Sequence, residues 1–251
     1  MFVGACTGSS EPDSGPASSV GSGTTAPVRS GAEASTTLAG SVATSGELEA
    51  LTPAMFDQIS NCVLTPTSTA GPFPTINRMN RRVIHDGVPG HPLRLGLSVV
   101  DRTCQAVSGA VVDLWHTDAT GDYSEFTDGG SGKDESEGST FCRGFQISDA
   151  DGIVEFETVY PGWYDGWAVH LHVMVLVDDE NVLTGQLYFD ESYTEEVHRT
   201  GAYAPFGPPD TGWDDDRIIG TPATDGTGLV LAAAATGLGP GTLGLANLGF
   251  P

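Results

Sequence analysis

A pair of histidines opening an apolar run is the feature that most constrains this chain. His170-Leu171-His172 leads directly into Val173-Met174-Val175-Leu176-Val177. The run is mostly β-branched and reads as a strand. Alternation along a strand then puts His170 and His172 on one face, so a single strand offers two adjacent ligands. Taken alone, such a pair also serves zinc, faces solvent on an edge strand, or contributes one satisfied core group.

Two tyrosines narrow the chemistry. Tyr164 lies just upstream of His170, in Pro161-Gly162-Trp163-Tyr164, and Tyr123 lies further upstream, in Gly121-Asp122-Tyr123-Ser124. Phenolate is a hard anionic oxygen donor that favours Fe(III) over softer divalent metals, and imidazole completes such a shell. Tyr is also a ligand to iron in haem proteins. With no sign of haem attachment, Tyr123, Tyr164, His170 and His172 read as a non-haem ferric set.

The remaining chain is patterned as strands. Leu93–Val100, Ala110–Trp115, Gly144–Ile147, Ile153–Val159, His170–Val177 and Val182–Phe189 are short apolar or alternating runs separated by turn residues. Asp151-Gly152 favours a tight hairpin, and Asp178 to Asn181 separates two of the runs. Short helices are expected over Met55–Cys62, after Thr52-Pro53, and over Ser192–Arg199, capped by Ser192 or Thr194. Residues 216–240 read as a last strand region before a Gly- and Leu-rich tail. The pattern predicts an all-β, antiparallel β-sandwich with long loops.

Residues 7–46 are dominated by Ser, Gly, Thr, Ala and Pro and show no apolar periodicity, which predicts a disordered, flexible tether. The expected division is therefore residues 1–46 as tether and 47–251 as the sandwich domain. Before the tether, Val3-Gly4-Ala5-Cys6 resembles the cleavage site of a bacterial lipoprotein signal. Its apolar part is shorter than the roughly 7–15 residues such a signal needs, which a start further upstream would explain. On that reading Cys6 carries lipid and tethers a secreted or cell-surface protein to a membrane; the alternative is a free cysteine. The formal net charge of -23, with Lys133 as the only lysine, argues against nucleic acid as a partner. Asp128 to Ser139 lacks the ligand spacing of a Ca²⁺ loop and reads as a polar loop.

The words around the ligands resemble the intradiol ring-cleavage dioxygenases, in particular their small secreted single-chain branch. The matching pieces, in order, are Cys62 to Pro66 with Gly71-Pro72-Phe73-Pro74, Gly109 to Ala119 with Gly121 to Ser124, Arg143 to Gly152, Tyr160 to His172, and Thr184 to Phe189. The resemblance implies a β-sandwich, Fe(III), and cleavage of a catechol-type aromatic diol by O2 between its hydroxylated carbons to a muconate-type product. It implies Tyr123, Tyr164, His170 and His172 as ligands, with Tyr164 the one that leaves the metal when substrate binds. Gln186 matches a glutamine lining the substrate pocket, and Phe73 and Trp163 are candidates to line it too. A bridge between Cys62 and Cys104 is implied by their places in matching segments. Two positions depart from the family pattern: Trp167 stands where an Arg is usual, and Ala70 where the secreted relatives commonly carry Glu.

Trp cannot replace the charge of that Arg, which helps bind substrate and stabilise developing negative charge. It can stack on a ring and donate one hydrogen bond. Trp167 therefore keeps open a second reading, a tethered surface binding module with a vestigial iron site. A third, a zinc hydrolase using His170 and His172 with Asp165 or Asp118, lacks a third ligand at a recognised spacing.

Overall fold

The computed structural model describes residues 49–57, 64–72, 74, 79–126, 138–217, 229–230, 232–235 and 241–251. The tether, Cys6, Cys62, Phe73 and most of the polar loop from Asp128 to Ser139 lie outside these residues. Among the described residues no helix is long and apolar enough to cross a membrane.

Two sheets form the domain. One orders its strands β4-β1-β9-β8, from Ile153–Val159, Pro92–Val100, Thr242–Gly249 and Ala232–Ala235. The other runs β3-β2-β5-β6-β7, from Arg143–Ile147, Val111–Trp115, His170–Val177, Glu180–Tyr188 and Leu229–Val230. The core between them takes alternate residues from each strand: Leu93, Leu95 and Leu97 from β1, Leu171, Val173 and Val175 from β5, with Phe156 and Leu248. Burying each such side chain contributes about 1.5–3 kcal/mol.

The sandwich is mostly antiparallel, with two parallel pairings, β1 with β9 and β6 with β7. The Gly- and Leu-rich tail is therefore not a tail. It is β9, paired with both β1 and β8, and it places Ala246 and Leu248 in the core.

The Asp151-Gly152 turn also differs from expectation. It joins β3 to β4, which belong to different sheets, so it is a crossover and not a hairpin. Asp149 Oδ1 shapes it by accepting from the N–H groups of Asp151 (2.9 Å) and Ile153 (2.8 Å). The true hairpin is β5–β6, where Asp178 (φ 51°) and Asp179 (φ 64°) both take the left-handed conformation of a two-residue turn. α1 spans Pro53–Phe56, with Pro in its first turn, and packs Phe56 onto Leu245 and Ile153 on the outside of the first sheet. α2 spans Glu191–His198, and Asp190, not Ser192 or Thr194, caps it by accepting from the Tyr193 N–H. Cys104 is disulfide-bonded, with its partner outside the described residues, and Cys142 is free and buried.

Candidate metal centre

Leu171 and Val173 point into the core, so His170 and His172 point the other way, onto the outer face of the five-stranded sheet. Both imidazoles are nonetheless buried, because loops cover that face. The segment before residue 72 is one cover: the Ser68 N–H donates to the Thr184 carbonyl at 2.8 Å, and a Cβ on Gly71 would lie 2.9 Å from His172 Cε1. Trp115, opposite His172 on β2, stacks on its ring with centroids 5.1 Å apart and planes 8° apart.

The tyrosines come from two loops that are clipped together. Tyr123 follows a turn held by Asp118, whose Oδ1 accepts from Thr120 N, Thr120 Oγ1 and Asp122 N. Gly121 sits at φ 86°, and a Cβ there would be 2.2 Å from the Trp163 carbonyl oxygen, so only glycine fits. From the other side, a Cβ on Gly162 would be 2.5 Å from the Asp118 carbonyl oxygen. Two hydrogen bonds close the clip: Gly162 N to Asp118 O (2.8 Å) and Thr117 Oγ1 to Gly162 O (2.8 Å).

The four side-chain tips converge. Tyr123 Oη lies 3.0 Å from His172 Nε2, 3.3 Å from Tyr164 Oη and 3.5 Å from His170 Nε2. His170 Nε2 lies 3.2 Å from both Tyr164 Oη and His172 Nε2. Donors bound to one ion at about 2 Å stand roughly 2.9–3.5 Å apart for angles between 90° and 120°, so the spacing fits a single cation. Proton bookkeeping agrees. The His170 Nδ1–H donates to the Ala168 carbonyl at 2.7 Å, leaving Nε2 as a lone pair aimed at the cluster. His172 Nδ1 is buried without a hydrogen bond of normal geometry, with the Thr69 backbone beside it. Even with the His172 ring proton on Nε2, three protons cannot fill the five close contacts, and a single cation would reach all four tips.

Burial favours neutral forms throughout. It lowers the pKa of His170, and with His170 as a neighbour it holds His172 well below the usual range. It pushes Tyr123 well up and Tyr164 up to about 12. Neutral imidazole is the ligand form, and a bound cation reverses the preference of the phenols, since metal binding releases ligand protons.

Among the described residues no group of three His, Cys, Asp and Glu could hold a metal. Asp118 is committed to its turn and Asp165 is exposed, so neither joins the histidines as a third zinc ligand. Gln186 stands opposite His172 in the β5–β6 register and is buried. Trp163 is half-buried and donates from Nε1 to the Gly207 carbonyl. Trp167 lies between Tyr164 and His170, ring centroids 6.4 and 6.3 Å away.

Several neighbours escaped the sequence reading. The Arg143 guanidinium is buried 5.9 Å from the Tyr123 ring centroid and donates to Ser124 Oγ and O, both at 2.9 Å. Asp216 Oδ2 accepts from the Ala168 N–H at 2.7 Å, and the Arg217 guanidinium lies 5.8 Å from the Trp167 ring. Tyr188 donates to Gln186 Oε1. Only Tyr188 carried a signal, two residues beyond Gln186 on the same strand face; the others depend on register or on a loop returning from afar.

Residues 75–197 match the family model described as Dioxygenase. An intradiol ring-cleavage dioxygenase from Tetranychus urticae has 28% sequence identity and a TM-score of 0.66, covering 75% of this chain and 95% of that one. The family-model match and this structural neighbour are intradiol ring-cleavage dioxygenases, and it is to them that the chain is similar. The chain is also 27% identical over 121 residues to chlorocatechol 1,2-dioxygenase of Rhodococcus opacus. That match takes in 41% of the present chain and 45% of the relative, less than half of its length. The fold is shared as well with the dioxygenase domain of a carbohydrate-binding protein fusion from Streptomyces sp. SirexAA-E, at 24% identity and a TM-score of 0.52, covering 75% of this chain and 98% of that domain.

Proposed function

We propose that this protein is a non-haem Fe(III) dioxygenase that opens a catechol-type ring between its two hydroxylated carbons, giving a muconate-type dicarboxylate. The observation that carries the reading is the convergence of Tyr123, Tyr164, His170 and His172, with five of the six tip-to-tip pairs 3.0–3.5 Å apart. Fe(III) held there supplies a Lewis acid that polarises and orients both oxygens of a bound diol. The chain's own groups do the rest. Trp115 and the Ala168 carbonyl fix the two imidazoles. Tyr164, the more exposed of the two tyrosines, is the ligand that yields, and its phenolate takes up a proton from the diol. Gln186 lines the ring's site beside His172.

The reading is tested by a visible spectrum with iron analysis. About one iron per chain, as one four-ligand site requires, and a broad tyrosinate-to-iron band are expected. The band should shift on adding catechol and change in both Tyr123→Phe and Tyr164→Phe. A protein that stays colourless after ferric loading would refute it.

Trp167 favours a second reading, a surface-tethered binding module with a vestigial iron site. Under it Trp167→Arg raises catechol turnover from none, whereas turnover by the unaltered protein rules it out. The tether and a lipidated Cys6 would hold either version at a bacterial surface; mass analysis of Cys6 in the cell-derived protein checks that.

A further inference from the structure

The β6 strand carries a pair that metal binding alone does not require. Gln186 lies opposite His172 and Tyr188 opposite His170, so both side chains stand on the imidazole face. Both are buried. A primary amide has an acceptor end and a donor end of nearly the same shape, and it turns over readily unless something holds one end. Here something does: the Tyr188 hydroxyl donates to Gln186 Oε1. The Gln186 N–H groups make no hydrogen bond to any described residue. Tyr188 is itself fixed, its ring centroid 5.9 Å from that of His170 and its edge packed with Ala168 and Trp213.

We propose that Tyr188 is a positioning residue that locks the Gln186 carboxamide, so that the site presents a fixed N–H donor to an oxygen of the bound ring. The inference rests on the diol reading of the site. Its consequence is selectivity for ligands that place an anionic or neutral oxygen acceptor next to Gln186. An acceptor placed against Gln186 Oε1 instead of the N–H groups would leave two lone pairs facing each other in a buried site.

The experiment is an anaerobic titration of the iron-loaded protein with catechol, followed by the shift of its visible band. Tyr188→Phe should leave the resting band unchanged and weaken catechol binding by about fivefold, the scale of one hydrogen bond. Gln186→Glu keeps the shape and the bond from Tyr188 but loses the donor, and should weaken binding by more than about tenfold. Gln186→Leu should weaken it too, and adding Tyr188→Phe to Gln186→Leu should then change nothing further, because the lock has nothing left to hold. Additive losses in that double variant, or wild-type affinity in Gln186→Glu, would overturn the proposal. Failure of the diol reading shows separately, as an iron-loaded wild-type protein whose band ignores catechol. That result removes the ligand assigned here and overturns the inference with it.

Discussion

Gly162→Ala tests whether the loop clip sets the metal site. The backbone around Gly162 is not left-handed, so the effect is one of contact alone. The new Cβ would stand 2.5 Å from the Asp118 carbonyl oxygen and 2.7 Å from both the carbonyl carbon and oxygen of Ala119. Carbon–oxygen contacts settle near about 3.3 Å, so the two loops must part by about 0.8 Å. Metal and catalytic constellations tolerate about 0.5 Å. The Gly162 N to Asp118 O hydrogen bond, now 2.8 Å, lengthens with the parting and forfeits about 1 kcal/mol. Tyr123 and Tyr164 sit on opposite sides of the clip, so their tips separate. Iron retention should fall by at least tenfold and the tyrosinate band should shift or fade, measured by chelator competition and visible spectroscopy. Gly109→Ala is the control. Gly109 has φ 81° and nothing within 4 Å of its Cβ position, so that variant should lose about 1–2 kcal/mol in urea unfolding while keeping its iron. A Gly162→Ala protein with wild-type iron affinity and spectrum refutes the reasoning.

Three further outcomes are expected. Leu248→Ala, in a fully buried position of β9, should cost about 2–5 kcal/mol by urea unfolding; a cost below 1 kcal/mol would mean that β9 is peripheral. Arg143→Met removes the donors to Ser124 Oγ and O and should cost about 2–4 kcal/mol, with a shifted tyrosinate band because Tyr123 loses its buried cation. Asp190→Ala should cost about 1 kcal/mol near neutral pH. Hydrogen bonds from Ser192 and the Tyr193 N–H hold the Asp190 pKa below its usual value, so the carboxylate's contribution is present above that value and lost as pH falls through the folded pKa. The gap between wild type and Asp190→Ala in urea midpoints should therefore close in acid, and a pH-independent gap would contradict the cap.

Much of the site was legible because its signals are local. Two histidines one residue apart in a β-branched run share a face whatever the topology, and Gln186 opposite His172 follows from one hairpin. The strands β1, β2, β4, β5 and β6 declare themselves by β-branched or alternating residues. β9 does not. Its Gly, Leu, Ala and Asn have low strand propensity, and its status comes from lying between β1 and β8, which no local rule reports. The Asp151-Gly152 turn was legible as a turn but not as a crossover, since a tight turn says nothing about which sheet receives the next strand. Asp216 and Arg217 reach Ala168 and Trp167 from some fifty residues away, and only the folded path brings them there.

The parallel pairing of β1 with β9 has a consequence for how the chain matures. Seven of the nine strands among the described residues precede residue 231, yet β1 stays unpaired along one edge until residues 242–249 arrive. A growing chain therefore leaves the ribosome or a translocation channel with β1 half matched and the core open on its Ala246–Leu248 side. Contacts so distant in sequence close slowly, and an open strand edge is what chaperones recognise and aggregates exploit. Closure of this sandwich therefore waits on β9, and until then the converging tyrosines and histidines are mounted on a scaffold whose other sheet is incomplete.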